Sequence, residues 1–476
     1  MERPTTTRPL ALLLAGLLLA SCSSIPFIGG DDEPDAEEAA EAAKEETDRI
    51  PALPVDEALI PDIRFMGQPV PIPPAFANDA WTQPGGEPDH AMHHLAAPET
   101  LARVWRAEIG AGGTDRSPLT APPVAAGGRV FAMDNEARVT AYDAATGEPV
   151  WSTAVTPEPE AEDRKFYQVF GMGKTKMEEV GFGGGIALDG GRVFLVSGFG
   201  TAAALDQATG EVVWTADLPA PVRNPPTAAN GKLYAITVGN QAIALDQATG
   251  ETAWTYESFE EAARFLSSAS PAVAGGTVVV PFSSGEVVAL QAENGRLLWT
   301  TTVSRSTRMN AMADLSDIAG SPVLDRGAVF AISHAGQMSA IDLRSGREVW
   351  EVPIGGLNTP WAAGDALFVV TVGGDLVALS REDGAVIWTA PLGRYENEEK
   401  RKKPITWSGP ILAGGQLILT SSRGGLVLVD PQDGTVKNRI EAKVGGTVPP
   451  IVAGGQVYVI DAEGRLNAYG AAPAEG

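Results

Sequence analysis

Few side chains in this sequence are equipped for chemistry, and their spacing narrows what that chemistry could be. Among 476 residues there is one cysteine, Cys22, and four histidines, His90, His93, His94 and His334. A single thiol excludes a disulfide framework, a cysteine-rich zinc site and a redox CxxC pair. His90, His93 and His94 stand together in the run HAMHH and offer imidazole nitrogens to a metal, but no cysteine or carboxylate cluster accompanies them. No metal is expected there, and the segment reads as linker or docking segment. His334 has no partner at a fixed spacing, so it reads as a turn or surface residue and not as a general base. Gly183-Gly184-Gly185 matches neither the dinucleotide nor the phosphate-loop spacing and reads as a loop-to-strand junction. Asp143, Asp206, Asp246, Asp342 and Asp430 recur at one place in a repeat, which marks structural turn residues.

Composition and the N-terminus say where such a chain works. Sixty acidic against 35 basic residues give a formal charge of −25, which opposes binding to a phosphate backbone, and no nucleic-acid partner is expected. Residues 1–21 carry Arg3 and Arg8 before the apolar run Leu10–Ala20, a pattern too short to span a bilayer and suited to an export signal. Leu19-Ala20-Ser21-Cys22 resembles the bacterial lipoprotein box, which implies acylation of Cys22. Ser23 stands where Asp would imply inner-membrane retention, so the resemblance points to the periplasmic face of the outer membrane. Residues 22–98 read as a disordered tether: 31–49 is a run of acids, and 51–76 is broken repeatedly by proline.

The elements come from an internal repeat. Gly-Gly-x-Val-Phe, a turn, then Val-x-Ala-Leu-Asp-x-x-Thr-Gly-x-x-x-Trp recurs, as in GGRVFAMDNEARVTAYDAATGEPVW ending at Trp151 and GGRVFLVSGFGTAAALDQATGEVVW ending at Trp214. Further copies end at Trp254, Trp299, Trp350 and Trp388. A seventh has Asn438 in place of Trp, and an eighth stops at Gly470 without its last strand. Short apolar runs separated by Gly-containing turns predict about four antiparallel strands per copy. The Asp can accept backbone N–H bonds two residues on, and the Gly can take positive φ. Each indole offers a flat surface to the neighbouring sheet. Such units cannot bury both faces alone, so they must stack, and radial stacking leaves only short edges. The segment around Trp105 has the final-strand pattern with no strands before it. The expected fold is therefore all-β: an eight-bladed propeller over 99–470, closed by N- and C-terminal strands sharing one blade, with 471–476 as a tail.

The Ala-x-Asp-x-x-Thr-Gly-x-x-x-Trp repeat resembles the pyrroloquinoline-quinone (PQQ) type propeller repeat, found in quinoprotein dehydrogenases and in cofactor-free scaffolds. Together with the lipoprotein box, the chain resembles the BamB family of outer-membrane assembly lipoproteins, most closely over Ser306–Gly346. The resemblance implies a non-catalytic scaffold in the BAM complex, monomeric within that assembly, which binds the POTRA modules of BamA through loops on one face. The family's Leu-Ser-Asp matches Leu315-Ser316-Asp317, which makes Leu315 and Asp317 contact candidates; the loop's next acidic position is Ala319 here. A neighbouring loop points to Arg264, Phe265 and Leu266, with the Arg displaced from the family's position. Alternatives are a PQQ-dependent dehydrogenase and a propeller that binds peptidoglycan or another envelope polysaccharide. The dehydrogenase would need stacking groups, a calcium site and, in the alcohol-oxidising kind, adjacent cysteines. With the only thiol assigned to lipid, no cofactor is expected. Two insertions break the rhythm, 156–181 and 395–404, and both carry local cationic clusters suited to an anionic partner or lipid headgroups.

Overall fold

Each repeat forms one antiparallel sheet of four strands, and eight such sheets are present in the computed structural model, which describes residues 59–114, 117–155, 183–258, 269–303, 317–442, 444–446 and 448–472. Blade 1 comprises Val124–Ala126, Arg129–Met133, Arg138–Asp143 and Pro149–Ala154. Blades 2 to 7 repeat it, starting at Gly184, Thr227, Ala272, Val323, Trp361 and Trp407. Blade 8 takes three strands from the C-terminus, Ile451–Ala453, Gln456–Ile460 and Arg465–Ala471, and its outer strand, Leu101–Glu108, from the N-terminal side. That outer strand pairs antiparallel from Leu101↔Ala471 to Glu108↔Arg465. The first strands of successive blades adjoin from blade 1 round to blade 7, the Thr420 hydroxyl of blade 7 donates to the Val448 carbonyl at the entry to blade 8, and blade 8 meets blade 1, so the ring is closed. Its core consists of the apolar first three strands of each blade; the outermost strands are largely exposed.

The Asp-x-x-Thr-Gly turn locks adjacent blades together. Asp143 Oδ1 accepts the N–H groups of Ala145 and Thr146 at 3.0 and 2.9 Å and the Thr146 hydroxyl at 3.0 Å. These bonds hold its carboxyl below the usual range, and the same pattern recurs at Asp206 and Asp246. Gly210 ends its turn with φ 78°, and a Cβ there would stand 2.5 Å from the Trp151 ring of the preceding blade. The indole N–H groups of Trp105, Trp151, Trp214, Trp254, Trp299, Trp350 and Trp388 each donate to a carbonyl of the next blade's turn, at 2.8–3.2 Å. Seven of eight junctions are closed in this way. At the remaining junction Asn438 stands where the indole would be, and blade 8 has no third-to-fourth-strand turn to receive one, because the two termini meet there.

One expectation fails. Residues 59–98, read as part of a disordered tether, pack onto the propeller; residues 22–58 lie outside the described residues. Prolines deny this segment strands of its own, yet they leave its other N–H and C=O groups free for the inner edges of the blades. Trp81 exchanges two backbone bonds with Ala125 of blade 1, at 2.7 and 2.8 Å, and Thr82 accepts from Leu188 of blade 2. The Gln83 amide donates to Leu188 and Ala228 and accepts from the Ala228 N–H, which joins blades 2 and 3. Pro88 and Asp89 accept from Val273 of blade 4 and Leu324 of blade 5. His93 accepts from the Trp361 indole of blade 6 at 2.7 Å, and Leu95 pairs with blade 7. Asn78 bonds blade 8 through both backbone and side chain. Phe76 then pairs with Leu95, which closes the segment into a loop.

Candidate partner-binding surface

Strand direction gives the ring two unlike faces. One face, called here the turn face, carries the first-to-second-strand turns and the Asp-x-x-Thr-Gly turns. On the other, the loop face, each blade's outer strand ends and the next blade's first strand begins, as at Ala154 and Gly184, and the described connection 392–406 lies there. The N-terminal segment enters over the turn face. Arg64 pairs with Asp383 at 2.7 Å, the Val70 N–H donates to Gln432 Oε1 at 2.8 Å, and both partners lie in turns. Leu95 and Asn78 then accept from Gly414 and Gly454, in first-to-second-strand turns.

This segment fills the axis of the ring. The indole of Trp81, held to blade 1, stacks on that of Trp361 from blade 6, with centroids 6.3 Å apart and planes 13° from parallel. Met92 and Leu95 are buried beside them. His90 is fully buried, hydrogen-bonded through Nδ1 to the Pro322 carbonyl at 2.8 Å, and burial pushes its imidazole pKa down to about 4. On the loop face the axis opens into a recess of about 260 Å³, floored by Pro84 and Gly85 and walled by residues such as Leu119, Pro122, Pro225 and Val448.

The sequence-derived contact residues divide unevenly. Asp317 roots the connection from blade 4 to blade 5 on the loop face, but it is 1 % exposed and its carbonyl accepts the His334 N–H at 2.9 Å. A contact candidate from the sequence, Asp317 lies at the base of the loop with its side chain shielded from solvent. Leu315, Arg264, Phe265 and Leu266 lie outside the described residues, as do Cys22 and the insertion 156–181. His334 is half-buried, and burial lowers its pKa. The insertion 395–404 is a hairpin in which Tyr395–Asn397 pairs with Lys402–Pro404. Sequence reasoning missed the axial segment. Its signal was composition, since Trp81, Met92 and Leu95 are the apolar anchors that a solvated tether lacks.

Comparison with known proteins fits this architecture. The family model described as outer membrane protein assembly factor BamB matches residues 94–169, 170–390 and 372–475. The chain belongs to the BamB family. Among relatives in that family, BamB of Yersinia pestis is 28% identical over 257 residues, covering 54% of this chain and 62% of the relative. BamB of Salmonella typhimurium is 26% identical over 372 residues, covering 78% and 88%. The chain thus matches less than two thirds of the length of the Yersinia relative, and nearly nine tenths of the Salmonella one. Among solved structures, BamB from Moraxella catarrhalis aligns with TM-score 0.64 at 20% identity, over 78% of this chain and all of that one. A quinohemoprotein alcohol dehydrogenase from Comamonas testosteroni aligns with TM-score 0.62 at 14% identity, over 84% and 82%, a likeness of fold.

The dehydrogenase likeness raises the question of whether this BamB-family ring suits a quinone. The residues do not fit one. A planar cofactor at the axis would have to displace the Trp81–Trp361 stack and the Gln83 amide, which is bonded to two blades. Among the described residues no group of three or more His, Cys, Asp or Glu is placed to hold a metal ion.

Proposed function

We propose that this chain is a non-catalytic scaffold lipoprotein of the outer-membrane β-barrel assembly complex, anchored through Cys22 to the periplasmic face of the outer membrane. On this reading its loop face binds the POTRA region of BamA and joins the other subunits as a monomer. The observation that carries the reading is membership of the BamB family across the whole propeller. Geometry supports it in two ways. The N-terminal segment covers the axis on the turn face and leaves the loop face to carry the long connections where binding residues are placed on rigid scaffolds. Its side chains also fill the position a channel ligand would take.

The test is co-purification of the full-length, detergent-extracted lipoprotein, with photocrosslinkers at Thr359 on the loop face and at Gln432 on the turn face. Recovery of BamA, crosslinked from position 359 and not from 432, is the expected result. Recovery of a sugar polymer without BamA, or quinone-dependent dye reduction by the purified protein, would overturn the proposal.

A further inference from the structure

The junction between blades 7 and 8 is set apart by its missing indole and by its charge. It holds a solvent-open recess of about 340 Å³, walled on the blade 8 side by Arg103, Arg106 and Tyr469 and on the blade 7 side by Leu426 and Glu441. Arg103 and Arg106 are exposed and form no ion pair among the described residues. Neighbouring Arg465 is already committed to Asp461 and Glu463, at 2.8 and 2.6 Å. The cationic character continues outward. Blade 7's outer strand, Val436–Ile440, presents Arg439 and also Lys437, which pairs with Asp430 at 3.0 Å, whereas the outer strands of blades 2, 3 and 5 carry only acidic charges. The hairpin between blades 6 and 7 exposes Lys400, Arg401, Lys402 and Lys403, of which Lys403 is neutralised by Glu396 at 2.5 Å. In a chain of net charge −25, Arg103 and Arg106 thus set two cations with no ion pair among the described residues into a concave site.

We propose that this sector is a second docking surface, in which Arg103 and Arg106 receive an acidic, extended segment of a protein partner. Shape decides between the two kinds of anionic partner. A bilayer presents a broad plane, whereas these arginines line a recess between two blades, where an inserted carboxylate loses water on several sides and meets guanidinium groups in their planar, bidentate geometry. The exposed hairpin lysines, set between blades 6 and 7 and outside the recess, contribute to long-range steering more than to holding the complex. The proposal is independent of which assembly the loop face serves.

The test uses the full chain in detergent and a fluorescein-labelled oligoglutamate peptide, with binding read by anisotropy. Binding is expected to weaken about tenfold in the double variant Arg103→Glu/Arg106→Glu and to fall with added salt. It should persist in Arg344→Glu/Arg347→Glu, a charge-matched control on a blade 5 turn. Circular dichroism of both variants verifies folding, since all four side chains are exposed. Peptide affinity equal in the two variants, or no peptide binding, would overturn the proposal. Flotation with phosphatidylglycerol vesicles that depends on Arg103 and Arg106, in the absence of peptide binding, would overturn it in favour of a lipid surface.

Discussion

The indole of Trp105 lies on Gly147. Trp105 belongs to the strand that closes blade 8, Gly147 ends the turn of blade 1, and the indole N–H donates to the Ala144 carbonyl at 2.9 Å. The contact that joins every other stapled pair of blades therefore also fastens the closing strand to the first blade. Truncation removes a large, mostly buried ring together with its hydrogen bond. Trp105→Ala is expected to cost about 3 kcal/mol, read as a lower denaturant midpoint. Asn438→Trp should recover nothing, because blade 8 offers no turn carbonyl or glycine to receive the new ring. A stabilised Asn438→Trp protein would contradict that reason for the missing indole.

Glycine at the turn is required for space as well as for φ. At Gly250 φ is 78°, and a Cβ would stand 2.6 Å from the Trp214 ring. Gly250→Ala should destabilise by about 2 kcal/mol, and pairing it with Trp214→Ala should relieve part of that cost, since the clash then disappears while the backbone strain remains. Additive losses in a double-mutant cycle would show that the two residues are not coupled.

The axial segment should behave as a cooperative unit of its own. Its bonds run to single inner strands, while its anchors are Trp81, Met92 and Leu95. Trp81→Ala is expected to speed hydrogen exchange at Leu188, Val273 and Leu324, whose amides donate to this segment, by about a hundredfold. Amides between the second and third strands of each blade should keep their rates. Uniform acceleration throughout the ring would mean that the segment opens only with global unfolding.

The repeat made the ring legible because every blade spells out the same turn, strand lengths and indole, and even its exception at Asn438 carried information. The axial segment was not legible for the opposite reason. It has no periodicity of its own, since its backbone partners are contributed one at a time by successive blades, and its prolines mimic a solvated linker. Asp317 illustrates a third case. A three-residue motif gave its place in the chain, but burial depends on how the loop root packs against His334, which no local pattern encodes.

Acid should loosen the axial segment through His90. Its folded pKa of about 4 lies below the ordinary value of 6.5, so the folded form binds fewer protons between those limits. The histidine's contribution is thus fully present above pH 6.5 and is lost progressively as pH falls toward 4. Burial raises the carboxyl groups of Glu87 and Asp89, which act in the opposite sense, so the measurement must isolate the imidazole. His90→Gln can keep the donor to the Pro322 carbonyl and removes the titration. The pH dependence of exchange at the Val273 and Leu324 amides should flatten between pH 6.5 and 4 in this variant, and unchanged profiles would place the sensitivity elsewhere.

Asp317 offers a way to separate a loop root from a contact residue. At 1 % exposure its side chain cannot be truncated without disturbing the protein interior, so Asp317→Ala should lower stability by about 1–3 kcal/mol. An exposed rim carboxylate would leave the thermal midpoint unmoved and would weaken only partner recovery, with the salt sensitivity of a surface charge. Melting the purified variant and assaying BamA recovery in parallel distinguishes the two. A destabilised protein whose partner recovery falls without any change in salt dependence fits a buried support for the loop between blades 4 and 5. A fully stable variant with lost recovery would return Asp317 to the contact surface, and its burial would then be a property of the unbound protein alone.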